Sequence, residues 1–97
     1  MTEPDWGHQY TLTTEALLQL VAGLTPWQWE QRVAATPDWT VHDVIAHTAG
    51  TPADFLAGNM AGAPSAEWTQ AHVDARREAT PEQLIEEKQA LLTDLAA

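Results

Sequence analysis

The sequence predicts an all-α fold, a bundle of three main helices within one domain. Three segments repeat apolar residues at the spacing of one helix face, and two of them begin with strong capping patterns. The length of 97 residues fits a single domain. Five tryptophans oppose the disorder that a net charge of −10 would otherwise suggest. Because each apolar stripe covers only one side of its helix, we expect the helices to pack against one another.

The first helix is predicted at residues 12–24, after a flexible leader at residues 1–9. Its buried face is expected to consist of Leu17, Leu20, Val21 and Leu24, which follow the i, i+3, i+4, i+7 pattern. Thr11 is the expected N-cap, and Gly23 and Pro26 mark the end of the helix.

The second helix is predicted at residues 40–58. Thr40 and Asp43 form a capping box, and Trp39 and Val44 are placed to form a hydrophobic staple across the first turn. The expected inward stripe consists of Val41, Val44, Ile45 and Thr48, extended by Phe55 and Leu56. This segment therefore has the clearest helix start in the first half of the chain.

Two irregular stretches separate the second helix from the third. Pro52 lacks a backbone N–H, so the second helix either kinks there or stops and restarts. The apolar phase continues across the proline, which favours a kink. Residues 58–64 are predicted to form a loop, and residues 65–79 a short helix that carries Trp68.

The third helix is predicted at residues 81–96. Thr80 is its N-cap, Pro81 its first residue and Gln83 the capping-box partner. The apolar face consists of Leu84, Leu91, Leu92 and Leu95, with Ile85 at its edge. The small number of large apolar residues makes a thin core, so a further helix or a second copy of the chain would bury the stripes better.

The composition excludes several functional classes. The absence of cysteine excludes disulfides, a thiolate nucleophile and cysteine-ligated zinc. The 14 acidic against 4 basic residues argue against nucleic-acid and anionic-membrane partners. We expect no membrane span and no signal peptide, and hence a cytoplasmic protein. Ser65 is the single serine, which makes a Ser-His-Asp triad a poor candidate.

Three of the four histidines are expected to be exposed polar residues. His8 lies in the predicted leader, and His72 lies in the weakly predicted helix. His42 points away from the expected core face of the second helix, on the same side as Ala46.

His47 is the strongest candidate for chemistry. It falls at the edge of the core face, with Asp43 one turn before it and Asp54 two turns after it on the same flank. An imidazole there could ligate a metal, and either carboxylate could orient the ring. The alternative is a surface His-Asp pair that contributes only a few tenths of a kcal/mol to helix stability.

The tryptophans leave two interpretations open. They lie at positions 6, 27, 29, 39 and 68, mostly near predicted helix ends. They could fill the ends of a thin bundle, or they could form the wall of an aromatic pocket.

Most of the chain, roughly Tyr10 to Ala97, resembles the N-terminal metal-binding domain of mycothiol-dependent maleylpyruvate isomerases, a domain that belongs to the DinB-like four-helix bundles. The resemblance rests on residues 24–29 (Leu-Thr-Pro-Trp-Gln-Trp) and above all on residues 37–50. The latter segment contains a Trp-Thr-Val helix start, an Asp at the third helical position and then Ala-His-x-Ala-Gly. The family also tends to place such residues where this chain has Trp68, the two arginines at 76–77 and the Thr-Pro-Glu-Gln-Leu segment at 80–84.

The resemblance implies a function and a site. The histidine of the Ala-His-x-Ala-Gly segment is a divalent metal ligand in the family, usually for zinc, and it corresponds to His47. The metal activates the thiol of mycothiol, a low-molecular-weight thiol of actinobacteria. The remaining family ligands, a glutamate and a histidine, lie on a fourth helix, and no Glu-x-x-x-His occurs in the 97 residues.

We therefore expect a homologue of this metal-binding domain that is catalytically incomplete by itself. The alternative is a non-catalytic helical module that forms a homodimer, or binds a partner helix, through the groove that a fourth helix would fill. The family resemblance does not distinguish between these two expectations.

Overall fold

The computed structural model describes residues 6–96 and confirms the all-α prediction. Within that part of the chain, five helices and one two-stranded hairpin form a bundle consistent with a DinB-like domain. In chain order the elements are α1 (Trp6–Ala22), α2 (Pro26–Trp29), β1 (Arg32–Val33), β2 (Thr36–Thr40), α3 (Val41–Ala57), α4 (Ala66–Ala75) and α5 (Pro81–Ala96).

The first helix begins earlier than predicted, at Trp6 and not at Leu12. Thr11 is not an N-cap, because it lies inside α1 and its hydroxyl donates a hydrogen bond to the Gly7 carbonyl at 3.1 Å. The flexible leader was predicted at residues 1–9, but residues 6–9 belong to α1. No proline interrupts the backbone over these residues. The part of that leader before Trp6 lies outside the described residues.

The buried face of α1 also differs from the predicted one. Leu18 and Val21 are buried together with Thr14, whereas Leu20 is 66% exposed. This leucine-rich helix offers two neighbouring apolar faces, and its packing against α5 selects the face that contains Leu18. The assignment of Leu20 to the core was therefore wrong.

The segment between α1 and α3 contains structure that the sequence analysis missed. Thr25 caps α2 with a complete capping box formed with Gln28, and Trp29 at the end of α2 is 3% exposed. The antiparallel hairpin β1–β2 then pairs Arg32 with Thr40, which places Thr40 at the start of α3.

Small residues form the most deeply buried stripe of α3. Ala46 and Ala49 are 0% exposed, and Ile45 is 3% exposed, whereas Phe55 and Leu56 are 63% and 43% exposed. The prediction assigned the inward face by the largest apolar side chains, but α4 and α5 pack on the face that carries the small ones. The extension of the core stripe to Phe55 and Leu56 was therefore wrong.

Helix α3 continues through Pro52, and a buried lysine accompanies this continuity. Proline has no N–H to donate to the carbonyl four residues earlier, which belongs to Thr48. Lys88 of α5 occupies that position, with Nζ donating to the Thr48 carbonyl at 3.2 Å and to its hydroxyl at 3.0 Å. Lys88 is only 4% exposed, and burial lowers its pKa below the ordinary value of 10.5.

The core lies where α1, α2, α3 and α5 meet. Helix α3 is central, since it contacts α4, α5 and α2, and α5 in turn contacts α1. The buried cluster consists of Val21, Trp29, Ile45, Ala46 and Leu84, with Leu17, Leu24, Val41, Ala79 and Ile85 packed around it. None of the helices between residues 6 and 96 is both long and apolar enough to cross a membrane.

Candidate functional site

Helix α3 directs His42 and His47 to different neighbours. His42 was expected to be exposed, but its side chain is only 19% exposed, and its Nε2 lies 2.7 Å from the Ala79 carbonyl. The Trp29 and His42 rings meet edge to face, with their centroids 6.3 Å apart. The expectation failed because the Ala46 side of α3 faces the core, so His42 is a packed residue at the α3–α5 junction.

His72 is the residue that the sequence analysis placed most incorrectly. It was expected to be exposed, but it is 3% exposed and lies on α4, which contacts α3 closely. Helix α4 begins at Ala66, and the preceding Ser65 is its N-cap, because the Ser65 hydroxyl accepts the Trp68 N–H at 3.1 Å. A lone histidine in a weakly patterned segment carries no local signal of burial, since that burial comes from contact with another helix.

Gly50 creates the space that His72 occupies. A Cβ atom added at Gly50 would lie 2.5 Å from the Cβ atom and 2.6 Å from the Cδ2 atom of His72, closer than such atoms can pack. Gly50 lies inside α3 and is itself buried. The glycine of the Ala-His-x-Ala-Gly segment thus lets the two helices bring His47 and His72 together.

Three side chains form a continuous hydrogen-bonded chain between α3 and α4. Nδ1 of His47 lies 3.0 Å from Nδ1 of His72, and Nε2 of His72 lies 2.7 Å from Oδ2 of Asp54. The two imidazole planes are nearly parallel, 15° apart, and the ring centroids are 5.3 Å apart. Asp54 therefore reaches His47 through the His72 ring.

Asp54, at the end of this series of hydrogen bonds, accepts a second one from Asn59. Asn59 Nδ2 donates to Oδ1 of Asp54 at 3.2 Å, so both carboxylate oxygens have donors. Partial burial raises the pKa of Asp54, but the hydrogen bonds from His72 and Asn59 outweigh it and leave the pKa below the usual 3.8. Asp54 is therefore an ionised acceptor at neutral pH.

Two tryptophans frame the histidine pair. The Trp39 ring lies 5.7 Å from the His47 ring, and its Nε1 donates to Gln70 of α4 at 3.3 Å. Trp68 contacts His72 edge-on at 4.2 Å, and its Nε1 donates to the Asn59 carbonyl at 3.1 Å. Trp39 and Trp68 therefore contact the histidine pair, whereas Trp29 fills the core as the bundle-filling interpretation predicted.

Arg76 ties α4 to α5 just beyond the histidine pair. Its Nε and Nη2 atoms donate to the two carboxylate oxygens of Glu87 at 2.8 and 2.9 Å. Its Nη1 donates to the His72 carbonyl at 3.3 Å. One guanidinium thus holds both the neighbouring helix and the backbone of His72.

His47 is the member of the cluster with an available nitrogen. Burial lowers its pKa below the ordinary value of 6.5, and the adjacent His72 lowers it further, so the ring is a neutral base at neutral pH. Its Nδ1 faces His72, and no hydrogen bond joins its Nε2 to the described part of the chain. A neutral imidazole ligates a metal through the lone pair of its unprotonated nitrogen.

Asp43 does not take part in this cluster. Its Oδ2 accepts the Thr40 backbone N–H at 3.0 Å, and the Thr40 hydroxyl accepts the Asp43 N–H at 3.2 Å. Its other oxygen lies 4.0 Å from His42. The predicted capping box is confirmed, and the carboxylate is directed to it and not to His47.

The described residues do not by themselves fit a zinc centre. Between residues 6 and 96, no group of three or more His, Asp or Glu side chains is placed to hold a metal ion. Zinc in a catalytic site needs three protein ligands and an open position. His47 can supply one of them.

Comparison with known proteins identifies a family. The family model described as the mycothiol maleylpyruvate isomerase N-terminal domain matches residues 10–97. No curated protein and no solved structure matches the chain.

Proposed function

We propose that this chain, which belongs to the mycothiol maleylpyruvate isomerase N-terminal domain family, acts as the metal-binding domain of a thiol-dependent isomerase or transferase. In this proposal His47 is one ligand of a divalent metal, with zinc the first candidate. A metal held there would supply the positive charge that favours loss of the proton from a coordinated thiol, which is then a thiolate nucleophile. Mycothiol is the thiol that the family name suggests.

The observation that supports the proposal is the state of the His47 ring. It is half-buried, its lowered pKa keeps it neutral, and its Nδ1 is held by the His72–Asp54 pair. Metal-binding histidines are typically held in this way, with one ring nitrogen anchored and the other directed to the ion.

The remaining ligands must come from outside the described residues. His72 and Asp54 already satisfy each other, so using either as a ligand would break a hydrogen bond. We therefore propose that the described part of the chain is catalytically incomplete by itself and supplies His47 together with the groups that hold it.

Zinc titration by calorimetry tests the proposed ligand. We expect the wild type to bind zinc weakly and His47→Ala to bind at least about tenfold more weakly, a loss of about 1.4 kcal/mol. His42→Ala is the matched control on the same helix and should bind as the wild type does. Equal binding by the wild type and His47→Ala would exclude His47 from the site.

A second candidate function is self-association through an apolar groove. A cavity of about 910 Å³ lies between the ends of α1, α3 and α5, lined among others by Tyr10, Phe55, Met60, Leu92 and Leu95. Among residues 6–96, no Asp, Glu, Lys or Arg lines it, so this part of the chain presents an uncharged surface to a second copy there. Exposed apolar patches of this kind mark interaction surfaces.

The oligomeric state tests this second candidate. We expect a homodimer by size-exclusion chromatography with light scattering, and we expect Phe55→Glu to convert it to a monomer because it places a charge in the apolar contact. Leu20→Glu is the control, since Leu20 is equally exposed but lies outside the groove. A wild-type monomer at high concentration would refute the homodimer.

A further inference from the structure

The geometry points to a fixed arrangement of protons in which Asp54 and His72 place the lone pair of His47 on its Nε2 atom. Asp54 and His72 are then positioning residues, which act on a ligand through the ring of His47. This inference deepens the proposed function and rests on it, since the position of the lone pair matters for function only if His47 binds a metal.

The first step is the proton between Asp54 and His72. A carboxylate can only accept hydrogen bonds, and the 2.7 Å contact to Oδ2 therefore requires a proton on Nε2 of His72. Oδ1 already accepts from Asn59 and holds the carboxylate in this orientation.

The second step follows along the His72 ring. A neutral imidazole carries one N–H and one acceptor nitrogen, so a proton on Nε2 makes Nδ1 of His72 an acceptor. The neighbouring nitrogen, 3.0 Å away, is Nδ1 of His47, which must then donate. The single proton of neutral His47 therefore lies on Nδ1, and Nε2 is bare.

The third step is the rigidity of the pair. His72 is 3% exposed, its ring packs against Gly50 and Trp68, and turning the ring over would break the hydrogen bond between its Nε2 and Asp54. A free neutral histidine in water prefers the proton on Nε2, which would block metal binding through that atom. The cluster thus selects for His47 the tautomer that is less common in solution.

Nitrogen NMR of histidine-labelled protein tests this arrangement directly. At a pH of about 8, above the ordinary histidine pKa of about 6.5, long-range proton–nitrogen correlations show which ring nitrogen carries the proton. We expect a protonated Nδ1 and a bare Nε2 for His47, and the reverse for His72. A proton on Nε2 of His47 in the wild type would overturn the inference.

Two variants test whether the neighbours cause the tautomer. In Asp54→Ala and in His72→Phe, we expect His47 to shift to a mixture dominated by the Nε2–H form. The tautomer of His42, which contacts the Ala79 carbonyl, should stay unchanged and serves as the internal control. If His72→Phe fails to fold, Asp54→Ala still decides, because Asp54 is 21% exposed and removing its carboxylate leaves no buried cavity. An unchanged His47 in folded Asp54→Ala would contradict the causal role of Asp54.

The tautomer measurement and the zinc titration can fail independently of each other. The expected tautomer in a wild type that binds no zinc would refute the metal-binding proposal and leave the proton arrangement standing. Zinc binding through His47 with the opposite tautomer in the free protein would refute the arrangement and leave the metal ligand standing.

Discussion

At the residue scale, the cluster of His47, His72 and Asp54 could be predicted only in part. Helix phase and the Ala-His-x-Ala-Gly segment singled out His47 as a candidate, because both signals are local in the sequence. His72 was missed because its partners lie on another helix, 25 residues away at His47 and 18 at Asp54. Gly50 was visible in the sequence as part of the Ala-His-x-Ala-Gly segment. Only the structure shows that its lack of a side chain makes room for His72.

We predict that Gly50→Ala destabilises the protein and disturbs the histidine pair. Alanine is the better helix former by about 0.5–1 kcal/mol, but forcing a methyl group into the His72 ring should cost more, about 1–3 kcal/mol. Chemical denaturation measures the free energy of unfolding.

Gly23→Ala provides the matched control for that substitution. A Cβ atom there would meet only the Leu20 carbonyl at 3.7 Å, an ordinary contact. Equal stability of the Gly50→Ala variant and the wild type would show that α3 and α4 do not pack as closely as described.

At the element scale, the same local pattern occurs twice. Thr-Pro-x-Gln at 80–83 predicted the start of α5, whereas at 25–28 only the end of α1 was predicted. Both form complete capping boxes, the first at α2 and the second at α5. The hairpin at 32–40 was missed because its short strands carry no clear alternation, and its pairing depends on the turn between them.

The pairing of α3 with α5 through Lys88 leads to a prediction on pH. Burial lowers the pKa of Lys88 in the folded state relative to the unfolded value near 10.5. In the range between these two values the unfolded chain binds more protons, so the contribution of Lys88 to the free energy of unfolding becomes more favourable as the pH rises.

Lys88→Met isolates this contribution. The variant keeps the length of the side chain but lacks the ammonium group. Its free energy of unfolding should therefore lack the increase that we expect for the wild type as the pH approaches 10.5, the ordinary pKa of lysine. It should also be less stable at neutral pH, by about 1–3 kcal/mol, because the Thr48 carbonyl loses its donor. Urea denaturation at a series of alkaline pH values measures both effects, and parallel pH profiles for the two proteins would contradict the role given to Lys88.

At the scale of the whole molecule, the fold class was predictable and the distribution of burial was not. Capping patterns and helical spacing predicted the three main helices, including α5 at residues 81–96. The thin core inferred from composition agrees with the uncovered groove that Tyr10, Phe55 and Met60 line. Which face of α1 and α3 is buried depends on how the helices meet: α1 buries Leu18 and Val21, whereas α3 buries the small residues Ala46 and Ala49 most deeply.

The most direct test of the central claim is the position of zinc in crystals of the protein grown with the metal, located by anomalous scattering at the zinc absorption edge. We predict a peak about 2.0–2.1 Å from Nε2 of His47, with the His47–His72 and His72–Asp54 hydrogen bonds intact. A metal bound elsewhere, or bound through Nδ1 of His47 with the His72 contact broken, would contradict it.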